Sequence, residues 1–166
     1  MKPAAFLDRD GVINLDKGHI YKISDFEWIH ESMEAIKFLN EKGYYIFVVT
    51  NQSGISRKLY TVKDMKNLHN YIRRELEKIN AYIDDFFYSP YHPDYHIEEY
   101  AHLEKLRKPD TGMLELASTK WEFDKNKSFL IGDSNTDIEC AKKFGIDGYL
   151  FKEGSLLNFI RQKISF

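Results

Sequence analysis

The chain has 166 residues, and its 24 Lys plus Arg against 26 Asp plus Glu give a formal charge of −2. That length suffices for one domain with a substantial core, while the balanced charge excludes whole-molecule attraction to nucleic acid or to an anionic membrane. A single cysteine, Cys140, excludes an internal disulfide and a cysteine-built zinc cage.

The N-terminal MKPAAFLDRDG is too short in its apolar part, and too soon charged, for a secretory leader. No later stretch approaches the ~18 apolar residues of a membrane span. A soluble cytoplasmic protein is expected, with one domain over residues 1–166 and no repeat or linker to divide it. Nothing in the chain demands a partner subunit, so a monomer is expected.

Residues 4–7 (AAFL) predict a brief buried strand. It runs straight into the stretch DRDGVIN at 8–14. ESMEAIKFLNEKG then spaces Met33, Ile36 and Leu39 as one face of a helix stopped by Gly43. YYIFVVT at 44–50, aromatic and β-branched without a charge, predicts a second buried strand. The next helix begins at Thr61 with a capping-box spacing to Asp64, and continues through Val62, Met65, Leu68, Ile72, Leu76 and Ile79.

IDDFFYS at 83–89 predicts a third strand. An excursion follows over about 89–108, polar, aromatic and proline-containing, too long for a routine connection. Met113, Leu114, Ala117 and Trp121 mark a helix face, KSFLIG at 127–132 a fourth strand, Ser134 to Phe144 a helix ended by Gly145, and DGYLF at 147–151 a last strand. Helices recurring between apolar runs predict an α/β fold: a three-layer, Rossmann-like domain with a mainly parallel central sheet, whose ligands sit beyond the carboxyl ends of the strands.

At those ends stand Asp8 and Asp10, then Thr50, Asn51, Gln52 and Ser53, then Asp133 and Ser134. Asp8 and Asp10 alone read equally as turn formers. With Asp133 converging on them from far along the chain, a metal or phosphoryl site is the better account. Carboxylate oxygens of this kind suit a hard ion such as magnesium, which also takes substrate phosphate. A carboxylate beside such an ion can attack phosphorus, and another two residues away can protonate the leaving oxygen and then activate water. Asp137 has two readings, as the capping-box partner of Ser134 and as support for a metal shell.

DRDGVIN, VVTNQSG, RKP and IGDSNTD, in this order over nearly the whole chain, resemble the four motifs of the haloacid dehalogenase superfamily. FLDRDGVIN, VVTNQSGISR and RKPDTGML resemble more specifically the D-glycero-D-manno-heptose 1,7-bisphosphate and histidinol-phosphate phosphatases, small members without a large cap. The resemblance implies magnesium-dependent phosphomonoester hydrolysis through an aspartyl-phosphate, acting on the C7 phosphate of a heptose bisphosphate made for a surface glycan such as lipopolysaccharide or capsule. Histidinol phosphate or another small phosphomonoester is the alternative substrate. A polynucleotide 3'-phosphatase or a non-enzymatic phosphate-binding module ranks lower, because the chain lacks a concentrated basic tract and keeps all four central residues.

By that resemblance Asp8 is the nucleophile, and Asp10 is the general acid and base, lending its carbonyl to the metal. Asp133 completes the metal ligands. Thr50 and the Asn51 backbone donate to the phosphoryl group, and Lys108 neutralises it. Asn51, Ser53 and Arg107 line the substrate pocket, with Arg107 on a distal group, and Arg57 is a further candidate for it. Ser134 and Asp137 support the site. Arg9 is not required as a compensating partner for the aspartates.

Relatives with the RKP segment carry a zinc loop before it, with a Cys-x-His pair and a Cys-x-Cys pair. Here those places read Ser89, Pro90, Tyr91 and Glu104, Lys105, Leu106, so zinc is not expected, despite His92, His96 and His102 nearby. Tyr88, Tyr91, Tyr95 and Tyr100 are expected to hold the loop by packing instead. Ser134 stands where the heptose phosphatases often have lysine.

Overall fold

A computed structural model describes residues 1–166. Strand β1 (Ala4–Leu7) is followed by α1 (Ser32–Glu41), β2 (Tyr45–Asn51), α2 (Val62–Glu77), β3 (Asp85–Ser89), α3 (Gly112–Lys120), β4 (Phe129–Gly132), α4 (Asn135–Phe144), β5 (Asp147–Leu150) and α5 (Leu156–Lys163). The five strands form one sheet in the order β3-β2-β1-β4-β5, and every pairing is parallel. The chain builds outward from β1 to β3 on one side, then returns to place β4 against β1's other edge. This reversal puts the ends of β1 and β4 at the topological switch point, where open α/β sheets form their ligand crevice.

Side-chain alternation along the strands explains the three layers. Ala5 and Leu7 pack with Ile46, Val48 and Ile131 under α1, α2 and α5, while Ala4 and Phe6 pack with Phe47, Val49 and Leu130 under α3 and α4. Both faces are covered, as the uninterrupted apolar runs require. α2 begins with the expected capping box: Thr61 Oγ1 accepts from the Asp64 N–H at 3.1 Å, and the Asp64 carboxylate accepts from the Thr61 N–H at 2.9 Å.

Two strands start two residues later than the apolar pattern predicts, for a shared reason. At β3 the Asp84 carboxylate, not a strand carbonyl, accepts from the Ile46 N–H at 2.8 Å. At β4 the Ser128 hydroxyl accepts from the Ala4 N–H at 2.9 Å. A side chain thus takes over the ladder's first bond, and regular pairing begins one residue on. α5 is unanticipated by the sequence reading; it buries Leu156, Leu157 and Ile160 against the face that carries α1.

The excursion folds into 3-10 turns over Glu98–Leu106, none of whose residues is buried. Three of the four tyrosines expected to hold it do so with their rings. Tyr88 and Tyr100 pack against Ile55, Tyr60 and Met65, and Tyr95 lies under the Arg57 guanidinium, 4.4 Å from ring centroid to Cζ. The Tyr91 carbonyl accepts from Arg107 at 3.4 Å. Two of the loop histidines have local partners: His92 Nδ1 accepts from the Asp94 N–H at 3.1 Å, and His96 Nε2 lies 3.1 Å from Glu98. No helix is long and apolar enough to cross a membrane.

Candidate active site

Beyond the switch point lies a cavity of about 360 Å³, lined by Asp8, Asp10, Asn51, Ser53, Lys108, Asp133, Ser134 and Asp137 among others. Asp8 follows β1 directly, and its N–H continues the ladder by donating to the Ile131 carbonyl at 3.0 Å. That bond fixes where the carboxylate emerges. Asp8 Oδ1 accepts from the Arg9 N–H at 2.8 Å and lies 3.1 Å from Lys108 Nζ.

Lys108 arrives from the far end of the excursion and is 3% exposed. Its ammonium meets Asp137 Oδ1 at 2.6 Å, the Val49 carbonyl at 2.8 Å and Asp8 Oδ1 at 3.1 Å. These acceptors match its hydrogens, so the ammonium is saturated. Burial acts to lower its pKa, but Asp8 and Asp137 outweigh that and raise it above the ordinary lysine value. A partly buried amide clasp sets its backbone: Asn51 Nδ2 donates to the Lys108 carbonyl at 3.1 Å, and the Lys108 N–H donates to Asn51 Oδ1 at 3.0 Å. Asn51 therefore lines the cavity while its amide is spent on Lys108.

Asp137, 1% exposed, fills its capping reading and also holds Lys108, a partner the sequence did not indicate. One oxygen holds Lys108; the other accepts from the Ser134 N–H at 3.2 Å and its hydroxyl at 3.3 Å, at the start of α4. Gly132 permits this, because a Cβ there would overlap the Asp137 carboxyl. Gly11 does the same for Asp133. It has φ +90, and a Cβ on it would strike the Asp133 carboxylate.

Ligand oxygens of Asp8, Asp133 and Asp137 all lie within 4.8 Å of one another. Burial raises Asp8 well above its ordinary value; Lys108 opposes the shift, and Asp137, Asp10 and Asp133 add to it. Asp133 is also raised, mainly by burial. Three carboxylates thus face one ammonium. A hard divalent cation fits this donor set, since it supplies the missing charge and prefers oxygen. The Asp10 carbonyl accepts no backbone hydrogen bond.

The Asp10 carboxylate stands outside that acidic cluster. Its Oδ1 accepts from Arg9 Nη2 at 2.9 Å and Asn14 Nδ2 at 3.0 Å, and its Oδ2 from Gln52 Nε2 at 3.0 Å. The expectation that Arg9 is not needed as a partner is therefore corrected: Arg9 is fully buried and paired with Asp10. Its neighbour in sequence, on a tight turn, is the nearest carboxylate a buried guanidinium can reach. Gln52 is also a site residue that sequence reasoning passed over. Its amide spans Asp10 and Thr50 Oγ1, at 2.7 Å from the latter, and its carbonyl accepts from the Tyr60 hydroxyl. Burial pushes Tyr60 up to about 12, so it remains a donor.

Thr50 is fully buried and does not line the cavity; its hydroxyl accepts from Gln52, which leaves its own hydrogen unspent. Arg57 and Arg107 also lie outside the lining, together beside the excursion. Arg57 donates to the Tyr95 hydroxyl at 3.1 Å, and its Nε is buried without a partner. Burial and then Arg57's charge lower the pKa of Arg107. The two guanidiniums thus form a second positive centre.

Comparison with known proteins agrees with this geometry. A family model described as "Polynucleotide kinase 3 phosphatase" matches residues 4–153. The D-glycero-beta-D-manno-heptose-1,7-bisphosphate 7-phosphatase of Rhodopseudomonas palustris is 41% identical over 162 residues, covering 97% of this chain and 89% of its own. The D-glycero-alpha-D-manno-heptose-1,7-bisphosphate 7-phosphatase of Photorhabdus laumondii is 38% identical over 151 residues, 90% of this chain and 82% of its own. The crystal structure of D,D-heptose 1,7-bisphosphate phosphatase from B. bronchiseptica, complexed with magnesium and phosphate, superposes with a TM-score of 0.80 at 28% identity, covering 98% of this chain and 87% of that one.

Proposed function

Because the chain belongs to the haloacid dehalogenase superfamily and is a phosphatase, we propose that it removes the C7 phosphate from a D-glycero-D-manno-heptose 1,7-bisphosphate with magnesium. The observation that carries the chemistry is the convergence of Asp8, Asp133 and buried Lys108 on one cavity. The sugar assignment rests on the named relatives. A second positive centre at Arg57 and Arg107 supports it, being suited to a distal phosphate.

Asp8 Oδ2, which no donor in the chain engages, attacks phosphorus while Oδ1 stays fixed by the Arg9 N–H and Lys108. The P–O bond to C7 breaks as an aspartyl-phosphate forms, and protonated Asp10 gives its proton to the departing oxygen. The resulting Asp10 carboxylate then takes a proton from water, which attacks phosphorus and releases phosphate and free Asp8. The fixed charge of Lys108, held beside Asp8, stabilises the developing charge on the phosphoryl oxygens, whereas Thr50, buried and outside the cavity lining, is not given the donor role expected of it. Asp8, Asp133 and the Asp10 carbonyl would hold magnesium, which supplies charge neutralisation between two anions.

Substrate choice is tested by measuring phosphate release from both anomers of heptose 1,7-bisphosphate, from histidinol phosphate and from a 3'-phosphorylated oligonucleotide. One phosphate per sugar is expected, with higher kcat/KM for the sugar than for either alternative. Equal or better turnover of histidinol phosphate overturns the assignment, and preference for the oligonucleotide replaces it with end repair.

Metal binding has a readout independent of turnover. Magnesium at about 100 times its Kd is expected to stabilise the fold by roughly 2.7 kcal/mol, seen as a raised Tm. Asp133→Asn should abolish the rise without lowering the metal-free Tm, since it removes a carboxylate that burial already disfavours. An undiminished rise in that variant removes Asp133 from the ligand set.

A further inference from the structure

α2 presents one polar side chain to the core that neither capping nor the proposed chemistry accounts for. His69 lies on the buried face with Met65, Leu68, Ile72 and Leu76, and is 3% exposed. Its ring stacks on Phe86, 4.4 Å between centroids and 21° between planes. Its Nε2 lies 3.2 Å from Arg9 Nη1. A guanidinium has only hydrogens to offer, so Nε2 accepts and the imidazole is neutral with its proton on Nδ1. Burial first, then Arg9 and Arg73, push its pKa well below the ordinary histidine range, in keeping with that state.

Arg9 is thereby gripped on several edges. Nη1 faces His69, Nη2 donates to the Ile20 carbonyl at 2.6 Å, and the Nε and Nη2 edge holds Asp10 at 3.3 and 2.9 Å. Without His69, Nη1 has no acceptor. The guanidinium would then be held along its Nε and Nη2 edge alone, by Asp10 and the Ile20 carbonyl, and Asp10 would lose a fixed orientation of its charged partner. His69 itself lies outside the catalytic cavity.

We propose that His69 is a positioning residue for the proton-transfer steps, acting through Arg9 to set the direction of the Asp10 carboxylate. The proposal rests on the reading of Asp10 as general acid and base. A satisfied core histidine with no such role would affect stability alone. A positioning role makes a different demand: its loss must hurt most when the leaving oxygen needs a proton.

The test compares kcat/KM of His69→Leu, His69→Gln and Asp10→Asn on heptose 1,7-bisphosphate, which leaves as an alkoxide, and on p-nitrophenyl phosphate, whose phenolate needs no acid. Because kcat/KM extends only to the first irreversible step, it isolates departure of the leaving group. His69→Leu is expected to lose about ten- to a hundred-fold on the sugar and less than about two-fold on the aryl ester. His69→Gln, whose amide oxygen can accept from Nη1, is expected to recover most of the loss. Equal losses on both substrates, or a folded Gln variant as poor as Leu, overturn the proposal.

Asp10→Asn separates the layers. If it fails to discriminate between the substrates, the reading of Asp10 falls, and this proposal with it; if it discriminates and His69→Leu does not, His69 alone falls. Should the Leu variant not fold, ¹⁵N spectra of the wild-type histidines decide: Nε2 of His69 must be unprotonated and Nδ1 protonated at neutral pH. An Nε2–H tautomer or an imidazolium overturns the grip on Arg9.

Discussion

Asp8→Asn is expected to fold at least as stably as the wild type without metal, and to release phosphate at least about 10⁴-fold more slowly. The two halves of this result have one cause. Burial, reinforced by Asp137, Asp10 and Asp133, raises Asp8 despite Lys108, so holding it ionised in the fold costs stability. An amide of the same shape removes that cost and keeps an oxygen for the Arg9 N–H. The sign gives a pH test. A carboxyl whose folded pKa lies above its unfolded value lends stability that is fully present below the unfolded value and is lost as pH rises through the folded one. Metal-free wild type should therefore lose stability relative to Asp8→Asn as pH rises from about 4. Rapid acid quench of wild type with substrate should leave hydroxylamine-labile phosphate on the protein, and the variant should carry none. Turnover within about tenfold of wild type, or labile phosphoprotein in the variant, would sink the nucleophile assignment.

The sheet was legible because its strands are buried on both faces and therefore read as continuous apolar runs, most plainly YIFVVTN in β2. The strand starts were less so, since nothing local announces that Asp84 and Ser128 will serve the ladder with side chains. α5 is short, and only its docking beside α1 gives its apolar positions a reason to be helical. In the site, Asp8, Asp10 and Asp133 could be found because each follows a strand at a fixed offset. What escaped were relations between distant residues. Arg9 looked dispensable beside two aspartates, whereas it is buried with Asp10 and meets His69 in α2, some 60 positions on. Asn51 reads as a pocket residue until its amide is seen closing on the Lys108 backbone. Gln52 sits openly in the second motif, but its orientation is set by Tyr60, which no pattern marks.

Lys108→Met tests whether the buried ammonium serves chemistry or only the neutrality of its surroundings. Its removal strands Asp8 and Asp137, 11% and 1% exposed at their side chains, and breaking a buried pair by deleting one partner costs about 3–5 kcal/mol. A large fall in Tm is expected. Lys108 is also what opposes the rise of Asp8, so without it Asp8 moves further up and the acid limb of the pH–rate profile shifts to higher pH. Loss of a preorganised charge on the phosphoryl oxygens should lower kcat by about 10²–10³-fold even above that limb. Lys108→Arg is no remedy, because a planar fork cannot reach Asp137, Val49 and Asp8 from one point. The decisive comparison is the double variant Lys108→Met with Asp137→Asn. It deletes both ends of the 2.6 Å pair while an amide oxygen still meets the Ser134 N–H. Stability should then recover well beyond the sum of the single effects, as coupled neighbours do. Turnover should not recover, since nothing replaces the cation at Asp8. If turnover returns together with stability, Lys108 does no more than neutralise Asp137, and the phosphoryl charge must be met by other groups.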